Sequence, residues 1–560
     1  MGLAALVVAA CDNPPPVGPP PVEPPPEPAK YRVGGTVTGL AGPLTLQLNG
    51  QESLSRNADG PFSFETQLTD ASDFTVAVTT PPPEQDCSVT GGTGKVAGAD
   101  VSSVKVSCAP RTYTIGGTAE GVRGTLELSL DGGEVLRVTQ AGRFTFTTKR
   151  PKGGAYAVSV ATLPQGQRCS LSNGSGTVAG NVEGISVRCL DWFELTSFQA
   201  ASVVIGQKDF TSGFPDQADT PDANTLNGPW GDPVLAGGRL YVSDRGSHRI
   251  LGFNAVPAAN DASAAFVLGQ PSLTSTGAGL GQNALEGPKG LSSDGTRLAV
   301  VDAGNNRVLL YPALPASTGA TPTRVLGQPD LDTNTSTSCD QRSLSIPGGA
   351  FIGHGKVLVA DSAHNRVLVW NTIPTMDGAP ADLVLGQRSF TTCAANDTTG
   401  DGVGDATPSA STFFNPSGVW TDGTRLAVVD AANSRVLIWN SFPTEHGQAA
   451  DLVLGQASFT SRATATTASG LRIPSSVTST GLQLFVVDSQ NNRVLVWNQF
   501  PTESGVAADL VLGQSNFTSA TETSPPTANS LQQPSGVLLA WPHVVVPDAN
   551  NNRLLVFKSR

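Results

Sequence analysis

Residues 415–440 read NPSGVWTDGTRLAVVDAANSRVLIWN, and this stretch decides the fold of the C-terminal part of the chain. An apolar strand ends at Asp430, and Arg435 opens a second apolar strand after a short turn. Residues 473–498, IPSSVTSTGLQLFVVDSQNNRVLVWN, repeat the pattern. Between residues 195 and 560 the same spacing occurs in six copies, in the pairs Asp244 and Arg249, Asp302 and Arg307, Asp361 and Arg366, Asp430 and Arg435, Asp488 and Arg493, and Asp548 and Arg553.

The repeat resembles the NHL repeat, whose members build β-propellers, over about residues 197–560. The resemblance implies an all-β propeller in which each copy forms one four-stranded blade. Because each Asp ends one strand and each Arg opens the next, a bidentate Asp–Arg contact would lock the turn between them. A catalytic site would be asymmetric, so repetition in every copy favours a structural role for the pairs.

A further short strand ending in Gly-Gln follows five of the copies, as in ADLVLGQ at residues 450–456. The sixth Gly-Gln, Gly206-Gln207, precedes the first copy, and the last copy ends at Arg560 without one. A circular permutation explains both facts. The sequence therefore predicts six blades, with the strand at residues 202–207 completing the blade at residues 533–560 and closing the ring.

The composition agrees with many short strands and turns. Of the 560 residues, 62 are Gly and 42 are Pro, and only 14% are charged. Gly and Pro are unfavourable inside helices, so coiled coils and helical solenoids are excluded. A formal net charge of −12 would repel a phosphate backbone, so we expect no nucleic-acid partner.

Residues 31–110 and 111–191 are two copies of a smaller unit. Phe62 and Phe64 match Phe144 and Phe146, and their alternation with polar residues is typical of strands. Gly-rich turns at regular intervals favour a β-sandwich in each copy. The modules resemble the immunoglobulin-like repeats of bacterial surface proteins, which implies a spacer role. Matching cysteines predict one disulfide in each copy, Cys87–Cys108 and Cys169–Cys189.

The N-terminus is predicted to carry a targeting signal followed by an extended linker. Within residues 1–11, Val8-Ala9-Ala10-Cys11 resembles a bacterial lipobox, which implies that Cys11 carries a lipid. No Lys or Arg precedes the apolar run, and the alternative is a short buried strand with a free Cys. Residues 12–30 are rich in proline and predict an extended linker. Together these features predict a lipid-anchored protein of the bacterial cell envelope, in the periplasm or on the cell surface.

The loops after Gly-Gln vary most in length, so one face of the propeller is predicted to be elaborated, and function commonly sits on such loops. The longest of them contains DTTGDGVGD at residues 397–405, which resembles a calcium loop of the thrombospondin type 3 and dockerin style. Its departures are a Thr at position 3 and Pro408 at position 12, and the alternative is a polar flexible loop. Calcium is the one cofactor that the sequence suggests, through Asp397, Thr399, Asp401, Val403 and Asp405.

Cys339 and Cys393 lie in these same loops on adjacent blades. A disulfide between them would staple the elaborated face and requires an oxidising compartment, which agrees with export. The alternative is two free thiols.

Two functions stay open on the sequence alone. The first is a membrane-anchored binding or scaffold protein that presents the propeller face to a protein, a peptide or a glycan. The second is a lyase or hydrolase with a metal in the central channel, an expectation that comes from the propeller families. His248 and His364 fall in turns, and no His/Glu cluster is visible. An enzyme would need a few odd residues converging at one mouth of the channel.

Overall fold

The structure is a computed structural model and describes Gly18, residues 26–335 and residues 339–560. The predicted lipidation residue, Cys11, lies outside the described residues, as does most of the proline-rich linker. Strands make up nearly all of the regular structure in the described part, and the α-helix is absent from it. The chain is therefore all-β, as the sequence predicts.

The first module consists of two four-stranded sheets that enclose a core containing Phe62, Phe64 and Phe74. Its first strand pairs in parallel with its last strand and antiparallel with its fourth. One sheet contains Gly60–Thr69, Lys30–Thr38, Val101–Pro110 and Gln85–Thr90, and the other contains Glu52–Arg56, Leu44–Leu48, Asp73–Thr80 and Thr93–Lys95.

The second module repeats this arrangement around Phe144, Phe146 and Ile185. One sheet contains Gly142–Thr145, Ile115–Glu120, Val182–Asp191 and Gln167–Ser172, and the other contains Glu134–Val138, Leu126–Leu130, Ala155–Thr162 and Ser175–Thr177. A short pair, Thr112–Tyr113 with Arg150–Pro151, accompanies them. Both modules are β-sandwiches.

The rest of the chain forms six four-stranded antiparallel sheets, the blades of a propeller. In blades 1 to 5 the four strands follow one another in chain order from the central channel to the outer edge. Blade 1 contains Val234–Ala236, Arg239–Asp244, Arg249–Phe253 and Phe266–Leu268, and blade 2 contains Pro288–Ser293, Leu298–Asp302, Arg307–Tyr311 and Arg324–Leu326. Blade 3 contains Gly349–Gly353, Lys356–Asp361, Arg366–Trp370 and Leu383–Leu385, blade 4 contains Pro416–Thr421, Leu426–Asp430, Arg435–Trp439 and Leu452–Leu454, and blade 5 contains Ser476–Ser479, Leu484–Asp488, Arg493–Trp497 and Leu510–Leu512.

Blade 6 is built from both ends of the propeller sequence. Leu538–Ala540, His543–Asp548 and Arg553–Lys558 are joined at their outer edge by Val203–Ile205, whose partners are residues 554–556. The first strands of the six blades contact one another in a closed ring around the channel. The prediction that an N-terminal strand closes the ring is confirmed, and it removes the free edge of the sixth sheet.

Each blade turns between its second and third strands through one short 3₁₀ segment, and a further 3₁₀ segment, Pro215–Ala218, lies in the loop before blade 1. The residue after the turn segment is left-handed in every blade, with φ between 50° and 55°. The turn segments are Arg245–Ser247, Ala303–Asn305, Ser362–His364, Ala431–Asn433, Ser489–Asn491 and Ala549–Asn551.

The second module packs against blades 5 and 6. The guanidinium carbon of Arg123 lies 3.9 Å from the ring centroid of Trp541. Phe193, directly after the module, is buried among blade residues, and its backbone exchanges hydrogen bonds of 2.7 and 2.9 Å with the side chain of Gln483. The module therefore covers part of the face opposite the elaborated one.

Candidate functional site

All three predicted disulfides are present. Cys87–Cys108 and Cys169–Cys189 each join directly opposed residues of neighbouring antiparallel strands, so they staple one sheet and do not bridge the two sheets of the sandwich. Cys339–Cys393 joins the loops that precede blades 3 and 4. The alternative of two free thiols at these positions is therefore wrong in this structure.

The six Asp–Arg pairs are fully buried. In each blade the arginine Nε donates to the aspartate Oδ2 at 2.7–2.8 Å, and neither side chain is exposed. The contact uses one arginine nitrogen, so the expected bidentate geometry is wrong. The other guanidinium nitrogens donate to backbone carbonyls of the loops before and after the blade, as Arg435 does to Ser409, Thr412 and Phe459.

The second aspartate oxygen, Oδ1, accepts a backbone N–H from the loop that leads into the first strand, as Asp430 does from Phe414 at 2.7 Å. Each pair thus connects the turn between the second and third strands to the loop before its blade and to the loop after it. Because the pairs are buried and recur in every blade, they hold the scaffold and are not exposed to a ligand.

A ring of inter-blade hydrogen bonds surrounds the channel on the elaborated face. The left-handed residue of each turn accepts, through its side chain, the backbone N–H of the residue that precedes the proline of the next blade. We call these six residues the clasp residues. They are His248, Asn306, Asn365, Ser434, Asn492 and Asn552, and their partners are Gly287, Ile346, Asn415, Ile473, Gln533 and Gly228. His248 is thus a turn residue, as the sequence indicates.

The channel narrows where glycines of adjacent blades meet. A Cβ on Gly418 would lie 2.9 Å from the Cα of Ser476, and side chains at Gly231 and Gly536 would collide with neighbouring backbone. Larger residues would force the blades apart, so glycine is required there for close approach. Cavities of about 250 and 150 Å³ lie on the two sides of this constriction. The smaller one opens on the elaborated face, because turn residues such as Ser362 and Ser489 line it.

Asp232 lies in the constriction and lines both cavities. Its Oδ1 accepts hydrogen bonds from the Ser476 hydroxyl at 2.6 Å and from the Val537 backbone N–H at 2.8 Å, so one carboxylate of blade 1 holds blades 5 and 6. Burial raises the pKa of Asp232 to about 6, and its two hydrogen bonds oppose that rise only in part.

Lys289 and Arg245 carry positive charge at the smaller cavity. Lys289 lines it, and burial together with the nearby charge of Arg245 lowers the pKa of the Lys289 ammonium to about 8. The guanidinium carbon of Arg245 lies 5.3 Å from the ring centroid of Trp230, which also lines this cavity. Blades 1 and 2 therefore present a cationic and aromatic side of the mouth.

Blades 3, 4 and 5 place apolar side chains at or next to this cavity: Ile473 lines it, and Ile346 and Phe414 lie within two residues of its lining residues Gly348 and Asn415. Ile346, Phe414 and Ile473 are exposed by 52%, 36% and 47%, which is unusual for large apolar side chains. The two isoleucines have φ of 47° and 44°, a conformation that β-branched residues strongly disfavour. The residue before the blade proline has positive φ in all six blades, so the conformation belongs to the scaffold; the other four copies place Gly, Asn or Gln there, and the departure is the β-branched side chain. We call Ile346, Phe414 and Ile473 the apolar arc.

The sequence analysis did not name Asp232, Lys289, Ser476 or the apolar arc. A signal for three of them existed in the aligned copies. Three residues after the blade proline, five copies have Leu, Ala or Val, whereas the first has Asp232. One residue after the proline the others have Trp, Gly or Ser, whereas the second has Lys289, and two residues after it glycine gives way to Ser476.

The predicted calcium residues are used within their own loop. Asp397 accepts backbone N–H groups of Gly400 and Gly402 at 2.7 and 2.9 Å, and Asp405 accepts the backbone N–H of Thr398 at 2.9 Å. Asp401 accepts from the Val403 backbone at 2.9 Å. In residues 26–335 and 339–560, no group of three or more His, Cys, Asp or Glu side chains is placed to hold a metal ion. Calcium binding by residues 397–405 stays a prediction.

No helix within the described part of the chain has the length and apolar character needed to cross a membrane. The comparison with protein-family models and the comparison with curated proteins each found no match.

Among solved structures, the chain is similar to virginiamycin B lyase from Staphylococcus aureus, at 11% identity and a TM-score of 0.33, covering 60% of this chain and 97% of that one. The PQQ-bound aldose sugar dehydrogenase from Streptomyces coelicolor matches at 14% identity and a TM-score of 0.35, covering 61% and 97%. A nidogen/laminin complex matches at 18% identity and a TM-score of 0.28, covering 50% of this chain and 77% of that one. Likenesses this distant carry no argument about function, and the propeller assignment rests on the sheets described above.

Proposed function

We propose that this chain is an extracytoplasmic binding protein that uses the mouth of its propeller channel, on the elaborated face, to bind a protein, a peptide or a glycan. One observation carries the proposal: the mouth is asymmetric in an otherwise regular ring. Blades 1 and 2 contribute Trp230, Arg245 and Lys289, and blades 3 to 5 contribute the apolar arc. A scaffold role needs the features that all six blades share, whereas a ligand needs those that differ.

The remainder of the chain suits a protein held at a membrane. We propose that Cys11 carries a lipid, that residues 12–30 form a stalk and that two immunoglobulin-like modules act as spacers below an NHL-type propeller. Three disulfides support an oxidising compartment outside the cytoplasm, in the cell envelope. Because the second module packs on the opposite face, it leaves the elaborated face free of the spacer.

The alternative is a propeller lyase or hydrolase with a metal in the channel. The polar side chains that line the smaller cavity are one carboxylate, one ammonium and hydroxyl or amide groups, and the described residues contain no group of metal-ligating side chains there. They do not fit that expectation, so we derive no reaction step through a metal.

Site-specific photocrosslinking in the native cells tests the binding proposal. A photoreactive phenylalanine analogue replaces Ile346 or Ile473 in the apolar arc. The matched controls are Met376 and Val506, which are exposed by 57% and 37% on the opposite face of the same two blades. We expect covalent adducts from positions 346 and 473 and none from 376 and 506. Equal adducts at all four positions, or none at any, would contradict a ligand-binding face.

A further inference from the structure

Arg245 and Lys289 are like charges that have no counter-ion among the residues that the structure describes. The two side chains make no ion pair within 4.0 Å with any described residue. Both side chains lie beside Trp230, Arg245 near its ring and Lys289 with it in the lining of the smaller cavity. Burial and the charge of Arg245 lower the pKa of Lys289. Arg245 is exposed, whereas Lys289 is half-buried, so the Lys289 ammonium loses part of its hydration without a described carboxylate to replace it.

The neighbouring carboxylates are engaged elsewhere or are out of reach. Asp244 pairs with Arg249 and Asp302 with Arg307, each through a buried contact. Asp232 directs Oδ1 to Ser476 and Val537. Glu286, which is half-buried next to the mouth, makes no ion pair with either cation in the described part of the chain. A carboxylate other than those of the described residues would therefore neutralise the pair.

The ring of Trp230 orients the guanidinium of Arg245 for contact with an anion. The guanidinium lies near the ring of Trp230, which favours one orientation of the cation through the negative face of the aromatic ring. A guanidinium presents a planar set of N–H donors that matches a carboxylate, and an adjacent ammonium adds a point charge. The partial burial of Lys289 strengthens the attraction, because charges interact more strongly away from water.

We propose that Arg245 and Lys289 bind a carboxylate of a peptide ligand whose apolar side chains lie on Ile346, Phe414 and Ile473. This inference rests on the proposed binding function and specifies its ligand. The side chains of the apolar arc offer no hydrogen-bond donor or acceptor to the hydroxyl groups of a glycan. A peptide carries both the anion and the apolar groups. The carboxylate comes either from the C-terminus or from an acidic side chain.

Peptide libraries applied to the full-length protein in detergent test the proposal. One library of N-acetylated heptamers has a free C-terminal carboxylate and only neutral residues. A second is amidated at the C-terminus and contains a single Glu, and a third is amidated and fully neutral. We expect the first or the second library to be retained, whichever carries the preferred carboxylate, and the third to be retained about tenfold less, since charged hydrogen bonds are lost.

Variants assign the effect to the two cations. Lys289→Met and Arg245→Gln should each lower retention of the carboxylate library about tenfold, while Lys289→Arg, which keeps the charge, should restore most of it. Lys208→Met is the matched control, because Lys208 is an exposed lysine in the loop after a Gly-Gln pair, away from the channel. Melting temperatures near that of the wild type show that each variant is folded.

The outcomes separate this inference from the proposed function. If Lys289→Met and Arg245→Gln retain peptides as the wild type does, or if the neutral library is retained equally, the carboxylate site is wrong and peptide binding stands. If no library is retained while photocrosslinking at position 346 still gives adducts, the peptide inference fails alone. If both experiments are negative, the inference and the proposed function fail together.

Discussion

At the scale of single residues, function is expected where the propeller departs from its own repeat. Asp232 replaces an apolar residue that the other five copies keep, and it lies in the narrowest part of the channel. Its carboxylate spans from blade 1 to blades 5 and 6 through Oδ1. Its burial raises the pKa of the carboxyl, so the charged form carries a stability cost.

The raised pKa of Asp232 has a definite sign for stability. The native carboxyl holds its proton up to about pH 6, whereas the unfolded one loses it near 3.8. The native state therefore binds more protons in this window, and the free energy of unfolding falls as pH rises through it.

We expect Asp232→Asn to be more stable than the wild type above pH 6, by on the order of 2 kcal/mol. The asparagine amide oxygen can still accept from Ser476 and Val537. Near pH 4 the advantage should vanish, because both side chains are then neutral. Chemical denaturation across this pH range measures the difference, and an advantage that is independent of pH would show that Asp232 does not titrate as described.

At the scale of the element, the turn after each second strand is one unit with three parts. The aspartate, the left-handed clasp residue and the arginine fasten the turn to the loops of its own blade and to the next blade. His and Ser replace Asn at two clasp positions, and each still accepts the same backbone N–H. The unit therefore requires an acceptor side chain that tolerates positive φ more than it requires one residue type.

The buried pairs should be critical for stability. We expect Arg435→Met to destabilise the protein by about 3–5 kcal/mol, because Asp430 would stay buried without its counter-ion and three carbonyls would lose a donor. Arg143→Met is the control, since its pair with Glu183 spans 3.5 Å with side chains exposed by 81% and 66%. Arg143→Met should lower the free energy of unfolding by at most about 1 kcal/mol. Similar losses in the two variants by thermal or chemical denaturation would contradict a special role for the buried pair.

The clasp can be tested without disturbing the backbone conformation. Asn492 has a φ of 55°, accepts from the Gln533 backbone at 2.8 Å and donates to the Ala520 carbonyl at 3.0 Å. Asn492→Gly keeps positive φ accessible and should cost about 1–2 kcal/mol from the lost hydrogen bonds. Asn492→Ala should cost about 1 kcal/mol more through strain. If the Asn492→Gly variant is as stable as the wild type in urea unfolding, the clasp hydrogen bonds contribute nothing to the stability of the protein.

At the scale of the whole molecule, closure ties both ends of the propeller sequence together. Besides the strand pairing at residues 203–205, Gln207 donates to the Asn552 carbonyl at 2.9 Å and Arg553 donates to the Phe210 carbonyl at 2.5 Å. Asn552 in turn clasps Gly228 of blade 1. Blade 6 is thus held by the same contacts as the others, although its closing strand is more than 300 residues away in sequence from its other three strands.

Deleting residues 197–207 should therefore affect the entire propeller. We expect loss of cooperative thermal unfolding, or aggregation, because an open sheet edge would be exposed. Deleting residues 12–190 should leave the propeller folded, since Phe193 and the closing strand remain. A 197–207 deletion that melts like the intact protein would mean that the strand does not secure the ring.

The proposed membrane attachment can be tested only on the complete chain. When the protein is made with a complete secretion signal, Cys11→Ser should release it from the membrane fraction, because no lipid can be added to a serine hydroxyl. Immunoblots of membrane and soluble fractions measure the distribution. Retention of the variant in membranes at the wild-type level would contradict the predicted lipid anchor.

The sequence by itself determined the scaffold. Fixed spacing between Asp, Arg and Gly-Gln predicts the number of blades and the closing strand, because each blade buries the same apolar pattern and uses the same turn. The cysteine positions predict the three disulfides. These features are local or repeated, so they can be read along the chain.

Only the tertiary structure decided where the candidate site lies. Asp232 and Ser476 are 244 residues apart, and they meet because the ring brings blades 1 and 5 to one channel. Arg245, Lys289 and the apolar arc likewise come from five blades. Their significance depends on burial, on exposure and on the charges nearby, which are set by neighbours in space, whereas a sequence gives only neighbours along the chain.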